Sequence, residues 1–229
     1  MHSEGRPVSG PDTVSDDARV LACVLRRLLR GDAPSPAQIG AELDLAPGKT
    51  EAVLARLHAA GVIDLVDGAL RAAYPLSAVP TRHRLRIGSA TAYANCAVDA
   101  LAVPAMVAEP VAIESTCPQC GASIVVRTHG ERLLSVRPEG AVVYLVSEAC
   151  CAPGPAVLTR CPYINFFCDA AHAAAWEQAH PERRGTVVRP AEAAARARER
   201  FAPVVRVVRG DEVPLAELSR PRARGLPPE

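Results

Sequence analysis

The stretch YANCAVDALAVPA, residues 93–105, predicts a helix that carries a cysteine and an aspartate near the middle of the chain. The apolar pattern extends this predicted helix over Ala90–Met106, with an interruption at Pro104. Positions three apart share a helix face, so Cys96 and Asp99 are expected to point the same way. A thiol beside a carboxyl is a nucleophile or soft-metal ligand beside a proton carrier. A structural cysteine with an exposed aspartate is the simpler alternative, but an aspartate in so apolar a run needs a reason.

Short strands and further helices follow this stretch. Alternating apolar residues predict strands at Val111–Glu114, Ser123–Thr128, Arg132–Val136 and Ala141–Ser147. After a loop at 148–160, the pattern predicts a buried strand at 163–167, a helix capped by Asp169 that runs to about His180, a strand at 185–189 and a charged helix at 190–201.

Three short helices and a β-hairpin are predicted upstream, and together they resemble a winged helix-turn-helix. The helices are expected at 20–29, at 37–43 and from Ala46-Pro47 to Gly61, and the hairpin turns at Asp67-Gly68. Residues 16–71 contain seven basic and eight acidic residues. Because DNA binding requires clustered cations, we expect a lid or scaffold here and no nucleic-acid partner.

The expected fold class is therefore α+β, with a winged-helix-like three-helix domain followed by a mixed or antiparallel β-sheet domain with flanking helices. We predict a disordered leader at 1–17, the first domain at 18–75, a linker at 76–89, the second domain at 90–208 and a loose tail at 209–229. The 229 residues have a net charge of +1, no signal peptide and no apolar run long enough to span a membrane. We therefore expect a cytoplasmic protein with no membrane partner.

Eight cysteines in a reducing compartment favour metal binding or catalysis over disulfides. Cys117-Pro-Gln-Cys120-Gly is half of a zinc site, so Cys117 and Cys120 are candidate structural zinc ligands. The adjacent pair Cys150-Cys151 is a poor second half, and a redox pair or a simple turn remains an alternative. We assign Cys168 and Cys23 to packing, and we find no histidine pair at metal-ligand spacing.

A third cysteine, Cys161, precedes the segment Pro-Tyr-Ile-Asn-Phe-Phe. A thiol in this position can lie at the wall of an apolar pocket, although core packing alone also explains the aromatic residues.

Taken together, these motifs resemble the organomercurial (alkylmercury) lyase family. Residues 93–105 are similar to that family's Cys-x-x-Asp-x-Leu-x-x-Pro-Ala pattern, and Cys117–Gly121 and Trp176 also match. The family's second catalytic cysteine precedes a Phe-Phe pair by five residues, as Cys161 does here. The resemblance covers about 18–205, but the family often has a tryptophan where Asn95 stands, and adjacent cysteines and two histidines around 161–165.

This resemblance implies protonolytic cleavage of a carbon–mercury bond, which gives a hydrocarbon and Hg(II) bound by Cys96 and Cys161. Asp99 would act first as base and then as acid. No organic cofactor is implied, free thiols would be co-reactants, the partner would be an organomercurial, and a mercuric reductase would accept the metal. The alternatives are a metal-responsive winged-helix regulator and a non-catalytic module stabilised by zinc.

Overall fold

The computed structural model describes residues 15–46 and 48–218, and these form an α+β fold. The α-helices are α1 (Asp16–Leu29), α2 (Pro36–Leu43), α3 (Lys49–Ala59), α4 (Ala97–Ala102), α5 (Ala156–Thr159), α6 (Ala170–Ala179), α7 (Pro190–Arg209) and α8 (Leu215–Leu218). The strands are β1 (Ile63–Val66), β2 (Ala69–Ala73), β3 (Leu76–Ser77), β4 (His83–Ile87), β5 (Ala90–Ala94), β6 (Pro110–Thr116), β7 (Ser123–His129), β8 (Arg132–Arg137), β9 (Val142–Val146), β10 (Asn165–Phe167) and β11 (Gly185–Val188).

The strands form two antiparallel sheets, which confirms the expected fold class. The larger sheet has the order β1-β2-β3-β5-β4-β6-β7-β8, and the smaller has the order β10-β9-β11. Strands β6, β7, β8 and β9 lie where the alternating pattern predicts them. No helix among the described residues is long and apolar enough to cross a lipid bilayer.

The three N-terminal helices and the hairpin are confirmed, and local capping explains their starts. The Ser15 hydroxyl accepts a hydrogen bond from Ala18 N at 3.3 Å at the start of α1. Ser35 and Gln38 form a reciprocal capping box at the start of α2. Pro47, expected to open the third helix, lies outside the described residues, and α3 begins at Lys49.

The two cations of α3 are engaged by α1. Lys49 Nζ lies 2.6 Å from Asp16, and the Arg56 guanidinium lies 2.6 Å from Asp17. These ion pairs hold α3 to α1, and they reduce the positive charge that this helix presents to a polyanion.

The sheet crosses the boundary expected between the two domains. The segment 76–89, predicted as a linker, contains β3 and β4, and β3 joins the hairpin to β5. The prediction of one helix over 90–106 is also wrong at its start, because 90–94 is strand β5, and the helical turns are α4 and a 3-10 turn at Val103–Met106. A short apolar run fits a buried strand as well as a helix, and pairing with β4 decides between them.

Three further segments differ from the sequence prediction. The loop 148–160 contains a 3-10 turn and α5, and the helix expected to end at Phe201 continues through Pro203 to Arg209. The apolar face beyond Pro203 is buried, and this burial offsets the cost of a proline inside the helix. At the ends, α1 includes residues 16 and 17 of the expected leader and α8 lies in the expected tail, while 1–14 and 219–229 lie outside the described residues.

Asp64 joins the N-terminal hairpin to the segment that precedes Cys161. Its buried carboxylate accepts hydrogen bonds from the Tyr74 hydroxyl and, at 3.3 Å, from Val157 N at the first turn of α5. The hairpin therefore helps to fix the chain that leads to Cys161.

We predict that Asp64→Ala lowers the free energy of unfolding by about 1–3 kcal/mol, because it removes a buried acceptor shared by two donors. Urea unfolding of the variant and of an exposed control, Glu199→Ala in α7, measures the effect. Equal unfolding free energies for the two variants would show that this contact contributes no stability.

Candidate active site

Cys96 lies at the junction between β5 and α4 and caps the helix. Its backbone is extended, with φ −153° and ψ 175°, and its Sγ accepts a hydrogen bond from Asp99 N at 3.3 Å. Serine and threonine usually fill this capping position with an oxygen acceptor, and here a sulfur atom takes that place. The expected proximity of Cys96 and Asp99 is therefore found, although Cys96 precedes the helix and does not belong to it.

Cys161 approaches the same point from a distant part of the chain. It begins a 3-10 turn, Cys161–Tyr163, between α5 and β10, and its Sγ lies 3.8 Å from Asp99 Oδ2. Ile164 O accepts a hydrogen bond of 3.0 Å from Ala97 N, which connects the residue after Cys96 to the end of this turn.

The three groups form one compact, buried cluster. The Cys96 and Cys161 sulfurs and a carboxylate oxygen of Asp99 all lie within 4.8 Å of one another. The relative exposures of the three residues are 2% for Cys96, 1% for Asp99 and 5% for Cys161. This set can bind a soft metal through two thiolates and has a carboxyl in reach to move a proton.

Burial raises the pKa of the Cys96 thiol well above its ordinary value, and the nearby Cys161 thiol and Asp99 charge raise it further. Cys96 therefore keeps its proton at neutral pH until a cation arrives to stabilise the thiolate.

A neighbouring histidine, His83 on β4, is held neutral. It pairs across the sheet with Ala94, two residues before Cys96, and its Nδ1 lies 3.0 Å from Ser115 Oγ. Complete burial, followed by the charge of Arg82, lowers the pKa of His83 to about 3. His83 is therefore no proton donor near neutral pH.

The other two predicted site residues, Cys117 and Cys120, lie in the β6–β7 turn and belong to a second cluster. Their partners are Cys168 and His172, and the four ligand atoms lie within 4.8 Å of one another. Cys168 packs against the core, as assigned, but it also lies in this cluster, which was not foreseen from the sequence. No histidine pair was expected, and the cluster contains one histidine, which lies beside cysteines. The missed signal was Cys-x-x-x-His at the start of a capped helix, since residues four apart lie on one helix face.

Cys150 and Cys151, considered as the second half of a zinc site, lie elsewhere. They belong to the segment 148–160, where Cys151 Sγ donates to Ser147 O at 3.5 Å and Cys150 O accepts from the Arg183 guanidinium at 2.5 Å. Neither joins either cluster.

The thiols of the second cluster differ in acidity. Burial raises the pKa of Cys117, but the backbone amides of Cys168, Cys120 and Gln119 and the His172 side chain outweigh it and lower that pKa to about 7. Burial and the neighbouring Cys120 and Cys117 raise the pKa of Cys168 to about 12. Cys117 therefore ionises before Cys168.

Comparison with known proteins identifies the family. The profile of the MerB family, described as alkylmercury lyase, matches residues 76–202, which include Cys96, Asp99 and Cys161. The chain belongs to the alkylmercury lyase family. An alkylmercury lyase of Staphylococcus epidermidis is 31% identical over 162 residues, which cover 69% of this chain and 71% of that protein. Another from Bacillus cereus is 32% identical over 109 residues, or 46% of this chain and 48% of that one.

A solved structure shares the fold of this alkylmercury lyase family member. The crystal structure of the mercury-bound form of MerB2 superposes with a TM-score of 0.69 at 20% identity, covering 85% of this chain and 93% of that one. At this identity the match demonstrates the common fold. The two clusters and the roles of their residues rest on the geometry above.

We predict that the free energy of unfolding falls as the pH drops below about 6.5, partly because of His83. A group whose pKa is lowered in the folded state stabilises the protein fully above its unfolded pKa, and that contribution is lost as the pH falls toward about 3. One such group gives a slope of up to about 1.4 kcal/mol per pH unit. Urea unfolding of wild type and His83→Gln from about pH 7 to about pH 4 measures the difference, and equal slopes would show that His83 titrates alike in both states.

Proposed function

We propose that this chain cleaves the carbon–mercury bond of organomercurials by protonolysis. The observation that carries the proposal is the buried cluster of two thiols and one carboxyl, with ligand atoms within 4.8 Å. Membership of the alkylmercury lyase family supports the same chemistry. The mercury compound is the substrate, and its metal is a product of the reaction, not a resident cofactor.

The proposed reaction begins with an organomercurial bound to a free thiol and with Cys96 and Cys161 as thiols. Both cysteines form sulfur–mercury bonds, while the mercury–carbon bond and the bond to the free thiol break. One cysteine proton goes to the departing thiolate and the other to the departing carbon. The products are a hydrocarbon, a free thiol and Hg(II) bound by two cysteine sulfurs, with no change in the oxidation state of mercury.

Cys96 is suited to bind mercury first. Its Sγ already accepts a hydrogen bond from Asp99 N, which stabilises the thiolate as it forms. Burial disfavours the charged thiolate in the absence of a metal. Mercury(II) prefers soft sulfur ligands, so binding of this cation stabilises the thiolate. The high pKa of Cys96 keeps this step dependent on the arrival of the metal.

Asp99 is suited to carry the proton. The distance of 3.8 Å between Cys161 Sγ and Asp99 Oδ2 lets the thiol proton pass to the carboxylate as Cys161 binds mercury. Asp99 then lies next to the carbon attached to the same metal and can return this proton to it. His83 does not compete for this role, because its pKa of about 3 keeps it neutral.

Asn95, where the family often has a tryptophan, supports the backbone beside the site. Its buried Nδ2 donates to Pro75 O at 3.2 Å and to Leu76 O at 3.1 Å, which fixes the turn before Cys96 to the start of β3. We propose that Hg(II) leaves the two cysteines by exchange with free thiols, with a mercuric reductase as the final acceptor.

We predict that Asp99→Asn binds phenylmercury but releases benzene about 10²–10⁴ times more slowly than wild type. The amide keeps the shape of the side chain and cannot shuttle a proton, whereas soft-metal binding to the thiols does not need the carboxyl. Mass spectrometry measures the bound adduct and gas chromatography measures benzene. The control is Asp67→Asn, an exposed aspartate in the β1–β2 turn, which should keep the wild-type rate. Benzene release by Asp99→Asn at that same rate would remove Asp99 from the mechanism.

We also predict that Cys161→Ser loses benzene release, since a single thiolate leaves the carbon–mercury bond without its second sulfur ligand. The matched control is the double variant Cys150→Ser/Cys151→Ser, because these thiols precede Cys161 in the chain but lie outside the cluster. The opposite pattern, with the double variant inactive and Cys161→Ser active, would assign the second ligand to the 148–160 segment. Inactivity of wild type with phenylmercury and excess thiol would refute the proposed function itself.

A further inference from the structure

The second cluster has the composition and the spacing of a closed metal site. Cys117, Cys120, Cys168 and His172 each offer one ligand atom, and these four atoms lie within 4.8 Å of one another. Cys120 Sγ and Cys168 Sγ are 3.7 Å apart, and Cys117 Sγ and His172 Nδ1 are 3.8 Å apart. Zinc–sulfur bonds of about 2.3 Å in a tetrahedron put sulfur atoms about 3.8 Å apart, so these separations leave room for one ion.

The first half of the cluster is built by the turn between β6 and β7. Cys117 N donates to Ala122 O at 2.9 Å, and Gly121 N donates to Cys117 O at 2.9 Å, so the backbone folds back over Cys117. Gly121 has φ +74°, a conformation that side-chain-bearing residues rarely adopt. This backbone brings the Cys117 and Cys120 sulfurs to the same side of the turn.

The second half is built where β10 ends and α6 begins. The Asp169 carboxylate caps α6 by accepting a hydrogen bond from His172 N at 2.7 Å. One helical turn then separates Cys168 from His172, and Cys168 Sγ lies 2.7 Å from His172 Nδ1. This is a hydrogen-bond contact, and it must lengthen to about 3.6 Å when both atoms bind one tetrahedral zinc ion. The imidazole therefore presents Nδ1, the nitrogen nearer its own backbone, to the three sulfurs.

From this geometry we propose that Cys117, Cys120, Cys168 and His172 bind one zinc ion in a tetrahedral structural site. Three cysteines and one histidine are a donor set typical of structural zinc, and four protein ligands leave no position for a substrate or a water molecule. Binding displaces the thiol protons to solvent, and the divalent cation compensates the charge of the thiolates.

The zinc site joins the two sheets of the fold. It connects the β6–β7 turn of the eight-stranded sheet to the end of β10 in the three-stranded sheet. Strand β10 is short and begins four residues after Cys161. Zinc therefore anchors the far end of the segment whose near end supplies a thiol to the catalytic cluster, and it does so without taking part in the reaction.

Zinc content and cobalt spectroscopy test the proposal on the full chain, purified without a histidine tag. We expect one zinc ion per wild-type chain by elemental analysis, and the absorption of tetrahedral thiolate-bound Co(II) after cobalt exchange. Cys120→Ser changes an exposed residue, so this variant should fold and should lose both signals. The controls Cys150→Ser and Cys96→Ser/Cys161→Ser should keep one zinc, which separates this site from the 148–160 segment and from the catalytic pair.

A strong chelator should lower the thermal unfolding midpoint of wild type and leave that of Cys120→Ser unchanged. Three results would overturn the proposal: wild type that binds neither zinc nor cobalt, zinc lost from the catalytic double variant but kept in Cys120→Ser, or a Cys120–Cys168 disulfide found by mass spectrometry in protein purified under reducing conditions. None of these measurements depends on whether the chain cleaves organomercurials.

Discussion

The hydrogen bond from Ala97 N to Ile164 O, 3.0 Å long, is the contact on which the cluster of Cys96, Asp99 and Cys161 depends. The first amides of a helix have no partner within the helix, and Ala97 N is the first amide of α4. Its partner is the carbonyl that closes the turn containing Cys161. The unpaired amide of Ala97 is satisfied by the segment that carries Cys161. The same hydrogen bond therefore starts α4 and brings Cys161 close to Cys96.

Keeping a carboxyl in that location requires support from the surrounding layers. Asp99 lies inside a core where an uncompensated charge would cost several kcal/mol, roughly, and contacts from the neighbouring thiol reduce this cost. Helix α4 packs against α7, whose buried face continues past Pro203 to Val208. Every residue of α4 is buried, and burial strengthens the electrostatic interactions among the two thiols and the carboxyl.

Much of this arrangement was accessible from the sequence, and the errors have physical causes. The cap at Asp169 and the spacing of Cys96 and Asp99 are local signals, and the structure agrees with both of them. Strand β5 was missed because alanine-rich apolar residues satisfy either periodicity, and only pairing with β4 decides between them. The association of Cys117 with Cys168 depends on how two sheets pack, and no sequence spacing records that.

The two clusters near the ends of β10 differ in the number of groups that could bind a metal, three in one and four in the other. This difference suits them to different chemistry. In the proposed reaction, two thiols and a carboxyl leave room for an organic group on the metal, so that a proton is delivered to carbon at the site of Cys96, Asp99 and Cys161. Four donors fill a tetrahedral coordination sphere, so the second cluster is suited to a permanently bound structural ion. Cys120 is exposed and would be the first thiol of its cluster that a mercury compound meets. If the proposed zinc ion is bound there, that sulfur is already coordinated, and the buried cluster is where two free thiols and a carboxyl meet.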